Sequence, residues 1–146
     1  MKKLILSLFF LSVIGLINPL KAQVSDGQEA LKKHINSVVE KVEKAKSPEK
    51  KREILNESLA DMVTAIDRVS EKSTVSDSDK KSLAEFKKVL NERKDELNGT
   101  NGFTRITNSQ LNQYANFVQQ DIEQADPVLT VSLTTVLLIV LILLLL

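Results

Sequence analysis

The chain offers few residues with which to do chemistry. It holds one histidine, His34, and no cysteine. Thiolate nucleophiles, disulfides and zinc sites built from several Cys or His ligands are therefore excluded. His34 sits beside Ile35 at the edge of an apolar stripe and reads as an ordinary histidine on a helix surface. Two acidic pairs, Asp77/Asp79 and Asp95/Glu96, are spaced closely enough for general acid–base work. Such pairs are common on charged helices, however, and nothing near them in sequence holds a substrate. Asp77-Ser78-Asp79 also lacks the glycine turn and the twelfth-position glutamate of a calcium loop. With only four glycines, the chain has neither a phosphate-cradling loop nor a glycine-flanked nucleophilic serine. The expectation is a protein without enzyme activity, with no catalytic, cofactor-binding or metal-binding residues. Asn98-Gly99-Thr100 fits the N-glycosylation acceptor pattern, which matters only in a eukaryotic secretory setting.

The elements available to position side chains are helical throughout. Leu31, Ile35, Val38, Val42 and Ala45 recur at alternating steps of four and three, and Leu55, Leu59, Met62, Ile66 and Val69 repeat the pattern. A third stripe runs through Leu83, Phe86, Leu90 and Leu97, with Arg93 in the missing place. A fourth takes Leu111, Tyr114, Val118, Ile122 and Ala125. Narrow stripes at this spacing are the seams of packed or coiled helices. Helix starts are marked by Ser25 with Gln28, Ser47 before Pro48, Ser76 with Asp79, and Thr107 with Gln110. Asn98-Gly99 marks a stop. The spacing predicts helices near 26–46, 48–72, 77–98 and 108–125, joined by short links that force antiparallel neighbours. The fold class is all-α, an up-and-down bundle of three to four amphipathic helices over 23–126.

The first 22 residues read differently. Lys2 and Lys3 precede an apolar run from Leu4 to Ile17, then Asn18 and Pro19 break it. This is the pattern of a secretory signal peptide, with cleavage expected between Ala22 and Gln23. Without Lys2, Lys3 and Lys21, 17 of the 20 bases remain against 19 acids. That balance carries no footprint for nucleic acid.

The last 20 residues, Pro127 to Leu146, contain no charge. As a helix, Val128–Leu146 would reach ~28 Å, about the thickness of a bilayer's hydrocarbon core. The expectation is a C-terminal transmembrane helix over 127–146. Val128, Leu133, Leu137, Ile139, Leu141 and Leu146 would serve as its membrane anchor. The flank before it is acidic, with Asp121, Glu123 and Asp126, which suits the outer side of a membrane. A single-pass protein with its soluble bundle in a periplasmic or extracellular space follows.

The expected role is structural or protein-interacting. A membrane-active or oligomerising tail, and a small ligand-binding bundle, are the alternatives. The fourth helix has no base and many amides, so Asn112, Gln113, Asn116 and Gln120 form a candidate contact face for a protein partner or a second copy. The expected partners are thus the lipid bilayer and a protein, with no nucleic acid and no cofactor.

Overall fold

The computed structural model describes residues 19–125 and 130–146. Helix α1 spans Pro19–Lys44, α2 Pro48–Ser70, α3 Asp77–Asn98, α4 Leu111–Gln124 and α5 Leu133–Leu143. A 3-10 turn over Asn108–Gln110 leads into α4. Among the described residues there is no strand.

Local chemistry sets most of the boundaries. Ser47 Oγ accepts the Lys50 N–H at 3.2 Å, and Pro48 fills the first helical position, where no backbone donor is needed. Ser76 Oγ caps α3 through the Asp79 N–H at 3.1 Å. Gly99 ends α3 in the left-handed conformation with φ +71, its N–H bonded to Asp95 O at 2.7 Å. A Cβ at Gly99 would lie 2.6 Å from Arg105 Cβ, so both backbone and space require glycine there. The connection that follows is held from within. Asp95 takes hydrogen bonds from the Thr100 hydroxyl at 2.6 Å and the Asn101 amide at 2.8 Å. Thr107 N–H then donates to Gln110 Oε1 at 3.2 Å, anchoring the entry to α4.

Helix α1 departs from expectation at its start. It begins at Pro19 and runs without a break through Ala22 and Gln23, so Ser25 lies inside the helix and is not its cap. The Lys2–Ile17 part of the expected leader lies outside the described residues.

The first four helices alternate in direction. Lys87 on α3 meets Asp67 on α2 at 2.6 Å. Glu123 on α4 meets Lys32 on α1 at 3.5 Å, and Gln119 donates to Asn36. The core follows the predicted seams, except that Ala45 and Ala125 lie past their helix ends and are only half-buried, and that the seam shifts on α1. On α1 the buried residues are Leu31, Ile35, Val39 and Val42, whereas Val38 is only half-buried. A period of 3.6 over a straight helix drifts from a strict three-four repeat, which moves the seam by one residue. The α2 stripe is buried as predicted, as are Leu83, Phe86, Leu90 and Leu97 on α3, and Leu111, Tyr114, Val118 and Ile122 on α4.

The C-terminal segment corrects the largest expectation. No helix among the described residues is long and apolar enough to cross a membrane. In place of one helix over 127–146, Val131 and Ser132 are non-helical and α5 has 11 residues, about 16 Å. That is roughly half of a bilayer core. Helix α5 packs on α1 and α2, and Val131, Val136, Ile139, Val140 and Leu143 are buried in the same core as the other stripes. The physical reason is that apolar surface is satisfied by any apolar contact, and α1 and α2 present enough of it to take one face of the segment.

Contacts along α3 show how this segment is laid down. Tyr114 meets Arg93 and Glu96, Asp121 meets Arg93, Thr130 meets Ser82, and Ser132 and Thr135 meet Asp79. Partner numbers rise as α3 numbers fall. Helix α4 therefore runs antiparallel to α3, and the start of α5 meets the first turn of α3.

Candidate functional site

The junction between α3 and α5 is built around Asp79. This carboxylate is only 7% exposed, and no cation pairs with it among the described residues. A buried charge needs compensation. Here it comes from the Ser132 N–H at 3.2 Å, the Ser132 hydroxyl at 2.5 Å and the Thr135 hydroxyl at 2.7 Å. Asp79 lies in the first turn of α3 and faces the N-terminus of α5, so two helix dipoles also favour its negative form. Burial acts to raise its pKa, but the hydrogen bonds from Ser132 and Thr135 outweigh burial and hold it below the usual carboxylate value. Ser132, the N-cap of α5, spends its hydroxyl on Asp79 and makes no cap bond within its own helix. Asp79 caps α5 from another element.

The other face of α5 remains uncovered. Leu137 is 43% exposed, Leu141 53%, Leu144 73% and Leu145 75%, with Leu146 exposed beside them. Of the expected anchor residues, Leu137, Leu141 and Leu146 are on this outer face, whereas Ile139 is buried against the bundle. Leu133 opens α5, and Val128 lies outside the described residues.

The second region is the outer face of α4. Asn112, Gln113, Asn116 and Gln120 are all exposed. Two of them are engaged internally: Lys51 Nζ donates to Asn112 Oδ1 at 2.6 Å, and Asn116 Nδ2 to Asn112 O at 3.0 Å. Gln113 lines a shallow groove of about 250 Å³ with Ile106, Gln110, Tyr114 and Phe117. Phe117 is exposed, and its ring lies 6.0 Å from that of Tyr114 and beneath the Arg93 guanidinium at 5.1 Å. Reasoning from sequence passed over Phe117, although Gln110, Gln113, Tyr114 and Phe117 fall at i, i+3, i+4 and i+7 on one face.

The chain matches no family model, no curated protein and no solved structure.

The remaining polar groups serve the scaffold. Arg52, which the stripes did not mark, is buried on α2 and donates to Leu97 O, to Ile106 O at 2.6 Å and to Asn108 Oδ1 at 3.3 Å. It ties the end of α3 to the connection before α4. Arg93, in the gap of the α3 stripe, bridges Glu96 at 2.6 Å and Asp121 at 2.9 Å. Three of the four acidic-pair residues are engaged, Asp79 by Ser132 and Thr135, Asp95 by Thr100 and Asn101, and Glu96 by Arg93 and Tyr114. The Asn98 amide donates to Asn56 at 2.7 Å and to Lys94 O at 2.8 Å, so the glycosylation-type asparagine is part of the packing between α2 and α3. His34 is half-buried between α1 and α2, and burial lowers its pKa, with Lys41 acting in the same direction. Among the described residues no cluster of three or more acidic or imidazole side chains is arranged to hold a metal ion. The cavity between α1, α2 and α4 holds about 20 Å³. That is about the room one water needs, and too little for a small organic ligand.

Proposed function

We propose that this is an exported, non-catalytic helical bundle that associates with a membrane through its C-terminal segment. The supporting observation is the outer face of α5, where Leu137, Leu141, Leu144, Leu145 and Leu146 stand together in water with no charge among them. Contiguous exposed leucines of this kind mark a surface that is covered in use. A bilayer accepts them without requiring shape complementarity, and an uncharged segment of this hydropathy has little else to attract a partner. The bundle then stands on the extracytoplasmic side, consistent with the leader-like first 22 residues and the acidic flank of the tail. Its contacts with proteins fall to the amide and aromatic face of α4, where Gln113 and Phe117 are free of charge.

The test is co-sedimentation with phosphatidylcholine vesicles, using the full chain and the chain lacking residues 1–22. Leu137→Glu with Leu141→Glu changes only exposed side chains, so the fold should survive. Removing two leucines from the lipid contact is expected to weaken vesicle binding roughly tenfold or more. Equal binding by the variant and the parent, both lacking residues 1–22, would sink the proposal.

A further inference from the structure

Helix α5 has two apolar faces, and only one is exposed. The inner face, with Val131, Val136, Ile139, Val140 and Leu143, is buried on the bundle. The segment cannot span a bilayer as it stands, because it is short and interrupted at Ser132. Yet residues 127–146 as one uncharged helix would be long enough. Docking and insertion therefore compete for the same inner face. Polar contacts between the docked segment and α3 include three hydrogen bonds on Asp79 and a contact between the Ser82 and Thr130 hydroxyls at 3.2 Å.

We infer that Asp79 is a latch: its hydrogen bonds to Ser132 and Thr135 hold the C-terminal segment docked, and releasing them hands the segment's hidden apolar face to a lipid bilayer. The inference rests on the membrane reading above and adds the second, concealed lipid surface and the group that guards it. Ser132 is central to the geometry. Bonded to Asp79 it is extended, with φ −61 and ψ 149, and it stands outside α5 as its N-cap. Once freed it can take helical angles, and the run on both sides of it can join into one helix. In lipid that change is favoured, because an unbroken helix satisfies every backbone donor and acceptor. The serine and threonine hydroxyls then turn back to carbonyls one turn earlier. A carboxylate suits this task. It is stable only while the donors of α5 surround it, so the docked state is either complete or lost.

The test uses Asp79→Asn and, from the other side, Ser132→Ala with Thr135→Val. The second variant leaves α3 and its Ser76 cap untouched, and removes no cap bond within α5. Hydrogen exchange of the amides of 133–143 is measured without lipid, and phosphatidylcholine vesicle binding is measured alongside. Exchange in that segment should quicken by about tenfold in both variants, with α2 unchanged. The vesicle-bound fraction should rise, and combining the two changes should add little to either. Unchanged exchange in the Ser132/Thr135 variant overturns the latch. Faster exchange without stronger vesicle binding overturns the lipid destination. Failure of the membrane reading itself shows elsewhere, as indifference of the parent chain to Leu137→Glu with Leu141→Glu.

Discussion

Arg52, Gly99 and Asp79 hold positions that the apolar periodicity does not explain, and each makes a separate prediction. Arg52 spends its guanidinium on the carbonyls of Leu97 and Ile106. Arg52→Met would keep the aliphatic packing and leave those carbonyls without their donor. The expected loss is about 2–3 kcal/mol, read as a lower midpoint in urea unfolding. Gly99 and Gly102 both have positive φ, at 71 and 88, but only Gly99 has a neighbour in the way of a Cβ. Gly99→Ala should therefore cost more than Gly102→Ala, which should cost about 1 kcal/mol from backbone strain alone. Asp79 carries a pH dependence. Its folded pKa lies below its unfolded one, so it contributes stability above the ordinary carboxylate value of about 3.9. That contribution is lost as pH falls through the folded value. Thermal melts of the parent from pH 7 to pH 3 should show this acid loss, and Asp79→Asn should start less stable and fall less steeply.

At the scale of the element, α5 is a helix that depends on its surroundings. Eleven residues are too few to hold a helix alone in water. Its inner face contributes five aliphatic side chains to the common core, each worth about 1.5–3 kcal/mol when fully buried. The chain ending at Asp126 lacks that contribution to the core. It should melt at a markedly lower temperature than the chain ending at Leu146, with a broader transition by circular dichroism. It should also aggregate more readily through the bared faces of α1 and α2. An unchanged melting curve would mean that α5 adds nothing to the bundle. Helix α4 behaves differently: it is fastened to α1 by Glu123 with Lys32 and to α3 by Asp121 with Arg93, pairs that locate it whatever α5 does.

For the whole molecule, the polarity of the surface decides what kind of membrane contact is expected. The Lys and Glu side chains of α1 to α3 pair mainly within their own helices, as in Glu29 with Lys33 and Glu40 with Lys44. Such exposed pairs contribute little energy, and without the first 22 residues 17 bases stand against 19 acids, so the net charge does not favour anionic lipid. Vesicle binding should therefore depend weakly on salt between 50 mM and 500 mM, and should not require anionic lipid. Steep loss of binding with salt would point to an electrostatic contact in place of the leucine face.

Four of the five helices among the described residues were legible in the sequence, to within a few residues except at the start of α1. Their stripes, caps and the glycine stop at Gly99 are local properties, and a helix is made of local hydrogen bonds. The apolar character of the C-terminal run was equally plain. What it would be buried against was not, since hydropathy measures the preference for leaving water and is silent on the destination. Only the tertiary structure decided that α1 and α2 cover one face of α5. It also decided that Asp79, in the first turn of α3, bonds to the N-cap and first turn of α5. Those facts depend on residues about fifty positions apart meeting in space, and no spacing along the chain records them.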